Sequence, residues 1–193
     1  MTIGTLPAIV ATGKENALYS FAQYIKDRIA EASLAGLTLG KSVPVYDLGY
    51  EEAIGPTGIS ISDAGAPQLG DQAIGRVLGG GKRGRTEQTQ VEICVWDTNN
   101  DSVRDAERFA RRLRDLIKYA VQNAGMDDGN GGQILPPIRL YQPGTVPVDT
   151  GSLIQHPRDV ASMWLETFIK DQPDKPNEKR YRILCRIKWE WYE

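Results

Sequence analysis

Residues 180–192, Arg-Tyr-Arg-Ile-Leu-Cys-Arg-Ile-Lys-Trp-Glu-Trp-Tyr, alternate in character almost without fault. Tyr181, Ile183, Cys185, Ile187, Trp189 and Trp191 fall on one side. Arg180, Arg182, Arg186, Lys188 and Glu190 fall on the other, with Leu184 and Tyr192 as the exceptions. Successive side chains of a strand point to opposite faces, so this run demands a sheet with one buried and one charged face. At about 3.3 Å per residue it reaches roughly 40 Å, well beyond an ordinary strand. A chain that closes on such a strand is built around a sheet whose charged side meets water or a partner.

Upstream, Thr12 and Glu15 have capping-box spacing, and Leu18, Phe21, Ala22, Ile25, Ile29 and Ala32 recur at helical intervals before Gly36. Residues 43–48 read as a strand that Pro44 places at an edge or a strand start. The glycine-rich stretch 49–85 reads as loops and a loose hairpin with its tip at 79–85. Residues 89–96 are a second clear strand. Ser102 and Asp105 resemble a capping box, and Val103, Ala106, Phe109, Ala110, Leu113, Leu116, Ile117, Ala120 and Val121 make a continuous helical stripe that ends at Gly125. A mobile turn is expected at 127–132, and Pro136 and Pro137 keep 134–141 extended. Over 160–170 two periods compete. Val160, Met163, Trp164 and Phe168 fit a helix, whereas Met163, Leu165, Thr167 and Ile169 alternate. The strand is preferred, because the polar loop 171–179 then joins it to 180–192 as one long C-terminal hairpin.

With 193 residues, 40% of them hydrophobic, the chain suits a single soluble domain over 1–193. A net charge of −2 argues against bulk binding to nucleic acid or anionic membrane. No apolar run approaches the roughly eighteen residues of a membrane span, and the N-terminus lacks the basic start of a signal peptide. Cys94 and Cys185, both inside apparent strands, read as small buried hydrophobes of a reducing cytoplasm.

Several segments imitate catalytic or ligand motifs. Residues 36–42, Gly-Leu-Thr-Leu-Gly-Lys-Ser, are one residue short of a phosphate-binding loop and run into Val-Pro-Val rather than a helix. Asp149-Thr150-Gly151-Ser152 matches the aspartic-protease signature. The apolar pair and glycine that must support the catalytic turn are missing, so an Asx-type turn is expected. Asp97, Asn99 and Asp101 open like a calcium loop, but Ser102 and Arg108 occupy the glycine and glutamate positions; a strand-to-helix turn carrying caps fits better. His156 is the lone histidine and reads as an exposed structural residue. No catalytic, cofactor or metal residue is therefore assigned, and the chain is not expected to be an enzyme.

Two cationic features remain. Lys82, Arg83 and Arg85 sit on a glycine-rich stretch that reads as an ordering arm, a phosphate-facing surface or a plain disordered tip. The helix at 102–124 carries Arg104, Arg108, Arg111, Arg112, Arg114 and Lys118 on its polar face, interleaved with Asp105, Glu107 and Asp115. That face is either solvated and salt-bridged or paired with acidic residues of a neighbouring subunit.

The order of elements is helix 12–35, strand 42–48, glycine-rich region, strand 88–97 running directly into helix 102–124, proline-rich extended segment, and final strand 180–192. This layout resembles the tail-terminator (tail-completion) proteins of long-tailed bacteriophages. The resemblance implies an α+β fold, with two main helices packed on a mixed or antiparallel sheet, a long C-terminal β-hairpin, and an excursion at about 49–85. It also implies a homo-oligomer, a hexameric ring on the head-proximal end of the tail tube. Its partners would be the tail tube protein and a neck or connector protein, with DNA passing through the lumen and no membrane. Such a protein resides in the virion neck after assembly in the bacterial cytoplasm. Lys82, Arg83, Arg85, Arg104, Arg108, Arg111, Arg112, Arg182 and Arg186 are the candidate contacts between subunits or with partners. The alternatives are another neck or head–tail connector ring, a nucleic-acid-binding module on the cationic features, and a hydrolase using Asp149 or His156.

Overall fold

The computed structural model describes residues 13–34, 41–47, 55–64, 76–78, 82–99, 102–142, 148–155, 163–169 and 177–192. In chain order the elements are α1 (Gly13–Leu34), β1 (Val45–Tyr46), β2 (Thr57–Asp63), β3 (Arg76–Leu78), β4 (Lys82–Thr98), α2 (Val103–Asn123), β5 (Arg139–Gln142), β6 (Val148–Gln155), β7 (Met163–Ile169) and β8 (Glu178–Tyr192). The fold is α+β. The helix ends expected at Thr12 and Gly36 lie outside the described residues.

The alternating C-terminal run forms β8, and its principal partner is β4. The two pair antiparallel from Gly84 opposite Tyr192 to Thr98 opposite Glu178. Their outer edges are each divided between two shorter strands. β2 pairs with β4 over 91–97 and β3 over 82–84, while β7 pairs with β8 over 180–185 and β6 over 188–189. The strand order is β1-β2-β4-β8-β6-β5, with β3 and β7 off that path. All pairings are antiparallel except β1 with β2, which makes the sheet mixed. The alternation at 163–169 prevails over the helical period, and β7 with β8 forms the expected hairpin.

Both helices cover the same sheet face. Ile59, Ile61, Val91, Ile93, Val95, Tyr181, Ile183, Cys185 and Ile187 pack there against Phe21 and Ile25 of α1 and Phe109, Leu113 and Ile117 of α2. α1 meets β1, β2 and β4 near one end of the strand order and β5 at the other, so both ends of the sheet share one helix. Two polar ties fix this arrangement. The Tyr24 hydroxyl donates to the Ala120 carbonyl at 2.9 Å, locking α1 to α2, and the Tyr141 amide donates to Ser20 Oγ at 2.7 Å.

Three expectations are corrected. Residues 49–85 are not merely loops, because Thr57–Asp63 is an interior strand paired with β4 on one side and β1 on the other. Its Ile59 and Ile61 enter the core under the helices, and the small residues Gly58 and Ser60 alternate with them on the other face. Lys82, Arg83 and Arg85 belong to the backbone of β4 rather than to a flexible loop, since β3 and β8 pair with this end and offset the weak strand preference of Gly84. The 127–132 segment is a tied turn rather than a mobile one. The Asp128 amide donates to the Gly132 carbonyl, Ile134 donates to Met126, and the Asp127 and Asp128 Oδ1 atoms accept the amides of Gly129 and Asn130.

The second sheet face is not uniformly charged either. Cys94 and Trp96 are buried there against Tyr46, which stacks on Trp96 with ring centroids 6.0 Å apart. Trp96 Nε1 donates to the Gly55 carbonyl at 3.1 Å. Gly58 lies opposite Trp96 in the β2–β4 register, and its missing side chain makes room for the indole.

Candidate assembly surface

α2 follows from its caps and its stripe. Ser102 Oγ accepts the Asp105 amide at 3.2 Å, and Asn99 Oδ1 accepts the Ser102 amide at 3.1 Å, which satisfies donors that a helix start leaves open. Ala106, Phe109, Ala110, Leu113, Ile117, Ala120 and Val121 are buried. Gly125 then takes φ +64°, the left-handed conformation that suits glycine after a helix end.

The opposite ridge holds Arg104, Arg108, Arg111, Arg112 and Asp115, all exposed, with Tyr119 beyond them. Glu107 binds Arg111 at 2.6 Å and Asp105 lies 3.6 Å from Arg108. Arg111 Nε donates to the Tyr181 hydroxyl at 3.4 Å, and the Arg114 guanidinium lies 4.7 Å above the Tyr181 ring. Arg104 and Arg112 have no ionic or hydrogen-bonded partner among the described residues. The placement of Arg104 also runs against the helix dipole, although Asp105 beside it suits that end. The last turn of α2 contains no basic residue, while Arg104 stands in the first turn, where a cation costs about 0.3–1 kcal/mol.

The remaining cations do not join this ridge. Arg85 and Asp97 are at opposite ends of β4, roughly 40 Å apart at strand rise, so the Lys82–Arg85 group lies far from the start of α2. Arg182 shares a sheet face with Glu92 and Cys94, opposite to the face under the helices. Its guanidinium is bound to Glu92 at 2.6 Å within the chain. Arg186 stands opposite Gln90 in the register. Thus the nine candidate contact residues fall into separate groups, and only those of α2 make one ridge.

The motif-like carboxylates have structural partners. Asp149 Oδ1 accepts the Gly151 amide at 2.8 Å and its Oδ2 binds Arg139 at 2.8 Å, which is the expected Asx turn, with Gly151 at φ +78°. The Gly151 amide, more than Arg139, holds this carboxyl below the usual range, whereas the acid of a proton-sharing pair needs the opposite shift. Asp97, read from sequence only as part of a turn, is fully buried. It accepts from Thr57 Oγ1 and from Lys41 Nζ, the latter at 2.9 Å to each oxygen. Lys41 in turn lies 5.0 Å from the centroid of the Phe109 ring. The lysine of the near-miss phosphate loop therefore closes a core junction between β2, β4 and α2. His156 lies outside the described residues.

Cys94 and Cys185 are buried thiols on opposite sheet faces, and burial pushes both up to about 12. Both are thus held protonated. Their contribution to stability is complete below the ordinary thiol pKa of about 8.5 and is lost as pH rises from there toward 12. We expect the native chain to resist thiol-modifying reagents near neutral pH and both cysteines to react in denaturant. Urea midpoints are expected to fall as pH rises above about 9. Rapid labelling of either thiol in the native chain would contradict this.

No protein-family model matches the chain, and no curated protein does so either. Among the described residues no helix is long and apolar enough to cross a membrane, and no cluster of histidine, cysteine and carboxylate side chains is arranged to hold a metal ion.

Proposed function

We propose that this chain is the subunit of a ring, six copies around, that caps the head-proximal end of a phage tail tube, stops its growth and joins the tail to the neck. The observation that carries the reading is the order of elements as folded. An N-terminal helix lies on the sheet, an edge strand follows, β4 runs directly into α2, and a closing hairpin delivers β8 back onto β4. Apart from β2, β3 and β6, that order follows the layout on which the resemblance to tail-terminator proteins rests. The exposed arginine ridge supplies a polar surface of the kind subunits use on one another, since arginine and tyrosine are enriched at interfaces. A chain of net charge −2 is also suited to a lumen through which DNA slides without being held.

The test is co-assembly with the tail tube protein of the phage that encodes the chain. Purified chain added during tube growth is expected to yield short tubes that carry extra density at one end. Tubes of unchanged length, with no end density at saturating chain, would overturn the proposal.

A further inference from the structure

From the charge layout of α2 and the turn after it, we infer that the arginine ridge docks the Asp127–Asp128 turn of a second copy of this chain, giving a head-to-tail contact. Arg104 and Arg112 are exposed cations with no partner among the described residues. Asp127 and Asp128 are exposed as well. Each uses its Oδ1 on amides of its own turn, Gly129 for Asp127 and both Asn130 and Gly132 for Asp128, which keeps the carboxylates in place. Those amides hold the Asp128 carboxyl below its ordinary range, so it stays ionised.

Arg104 stands in the first turn of α2 and Arg112 near its middle, while the acidic turn follows the helix end. With a rise of 1.5 Å per residue, the helix separates the turn from Arg104 by about 30 Å and from Arg112 by about 20 Å. Both distances are more than twice the screening length of about 8 Å at physiological salt, so the charges do not neutralise one another within one molecule. Arg104 and the two aspartates are also set against the helix dipole, a cation in a first turn that it shares with Asp105 and anions beyond the end. A neighbouring copy offset by one helix length satisfies both at once. Because the two surfaces differ, the contact is heterologous and repeats from copy to copy, closing into a ring where the rotation between copies allows it.

Nucleic acid is the other polyionic occupant to weigh. Asp105, Glu107 and Asp115 are interleaved with the arginines, which disfavours a continuous phosphate backbone and suits a protein surface of mixed charge. The inference rests on the ring reading above for its closure, though not for the contact itself.

The experiment uses the full chain and two charge-reversed forms, R104E/R112E and D127K/D128K. Each alone is expected to self-associate at least ~10-fold more weakly than the parent in sedimentation velocity. An equimolar mixture is expected to regain assembly, because each form then presents the charges that the other lacks. Reassembly in the mixture also shows that both forms are folded. D127N/D128N keeps the turn acceptors while removing the charges, and is expected to weaken assembly as well. Assembly of either reversed form at the parental level overturns the inference and leaves the ring reading standing. A mixture that rescues only a species of two chains keeps the inference and overturns the ring. Reversal that abolishes salt-sensitive DNA binding but leaves self-association intact assigns the ridge to nucleic acid instead, and overturns the inference.

Discussion

Replacing Asp97 with alanine is expected to destabilise the fold by about 3 kcal/mol, read as a lower urea midpoint at unchanged slope. The carboxylate is fully buried and accepts from both Lys41 and Thr57. Its removal strands the buried Thr57 hydroxyl, which alone costs roughly 1–3 kcal/mol. It also leaves the Lys41 ammonium beside the Phe109 ring without its counter-charge. Lys41 is 39% exposed, so this cation regains some water, and the loss stays at the low end of what breaking a buried pair costs. Asp97→Asn keeps an acceptor for Thr57 and is expected to lose less. In Asp97→Ala combined with Lys41→Met the penalties should not add, because the second change removes the orphaned charge. Additive losses would mean that the two side chains do not act as a pair.

Gly58→Val is expected to cost as much or more. A Cβ at position 58 would sit 2.6 Å from Trp96 Cζ2, 2.8 Å from Cη2 and 3.2 Å from Tyr46 Cε2. These distances are well inside contact, and the indole has little freedom to retreat. It is buried, faces Tyr46 and is tied through Nε1 to the Gly55 carbonyl. Overpacking of this kind costs about 1–3 kcal/mol for the first added carbon, and the valine branches add to it. Gly58→Ala should show the same effect at smaller size, together with a shift in tryptophan fluorescence. Pairing Gly58→Ala with Trp96→Leu opens space beside the new methyl and should recover part of the loss. A Gly58→Val chain with parental stability would contradict the close packing of this face.

What the sequence revealed follows the reach of each interaction. α2 was legible from end to end, because Ser102, Asp105, the stripe from Val103 to Val121 and Gly125 all act within a few turns of one another. β8 was legible for the same reason, since alternation is local. β2 was not. Its Gly58, Ser60 and Ser62 look like loop residues, and they become a strand only because β4 and β1 pair with it on both edges. The Asp97–Lys41 pair escaped because its members are 56 residues apart, and Asp97 has a second, plausible local role beside the helix caps. Arg182 reads as a surface cation until β4 brings Glu92 against it across 90 residues. The second apolar cluster was hidden in the same way, since Gly58 and Trp96 make sense only as opposite register partners.

The arginine ridge was visible as composition, but its significance lies in geometry. Only the fold separates Arg182 from α2 by a sheet and the Lys82–Arg85 group by the length of β4. What remains is one helix with Arg104 in its first turn, Arg112 near its middle and an acidic turn beyond its end, the charges that the proposed contact would pair.

The most direct measurement is to count copies at the ends of tail tubes assembled with the full chain, by image averaging and by mass. The expected result is one ring at one end of each tube, with a mass six times the 21.3 kDa of a single chain. Chain distributed along the tube wall, or absent from both ends at saturating concentration, would contradict the proposed terminator function.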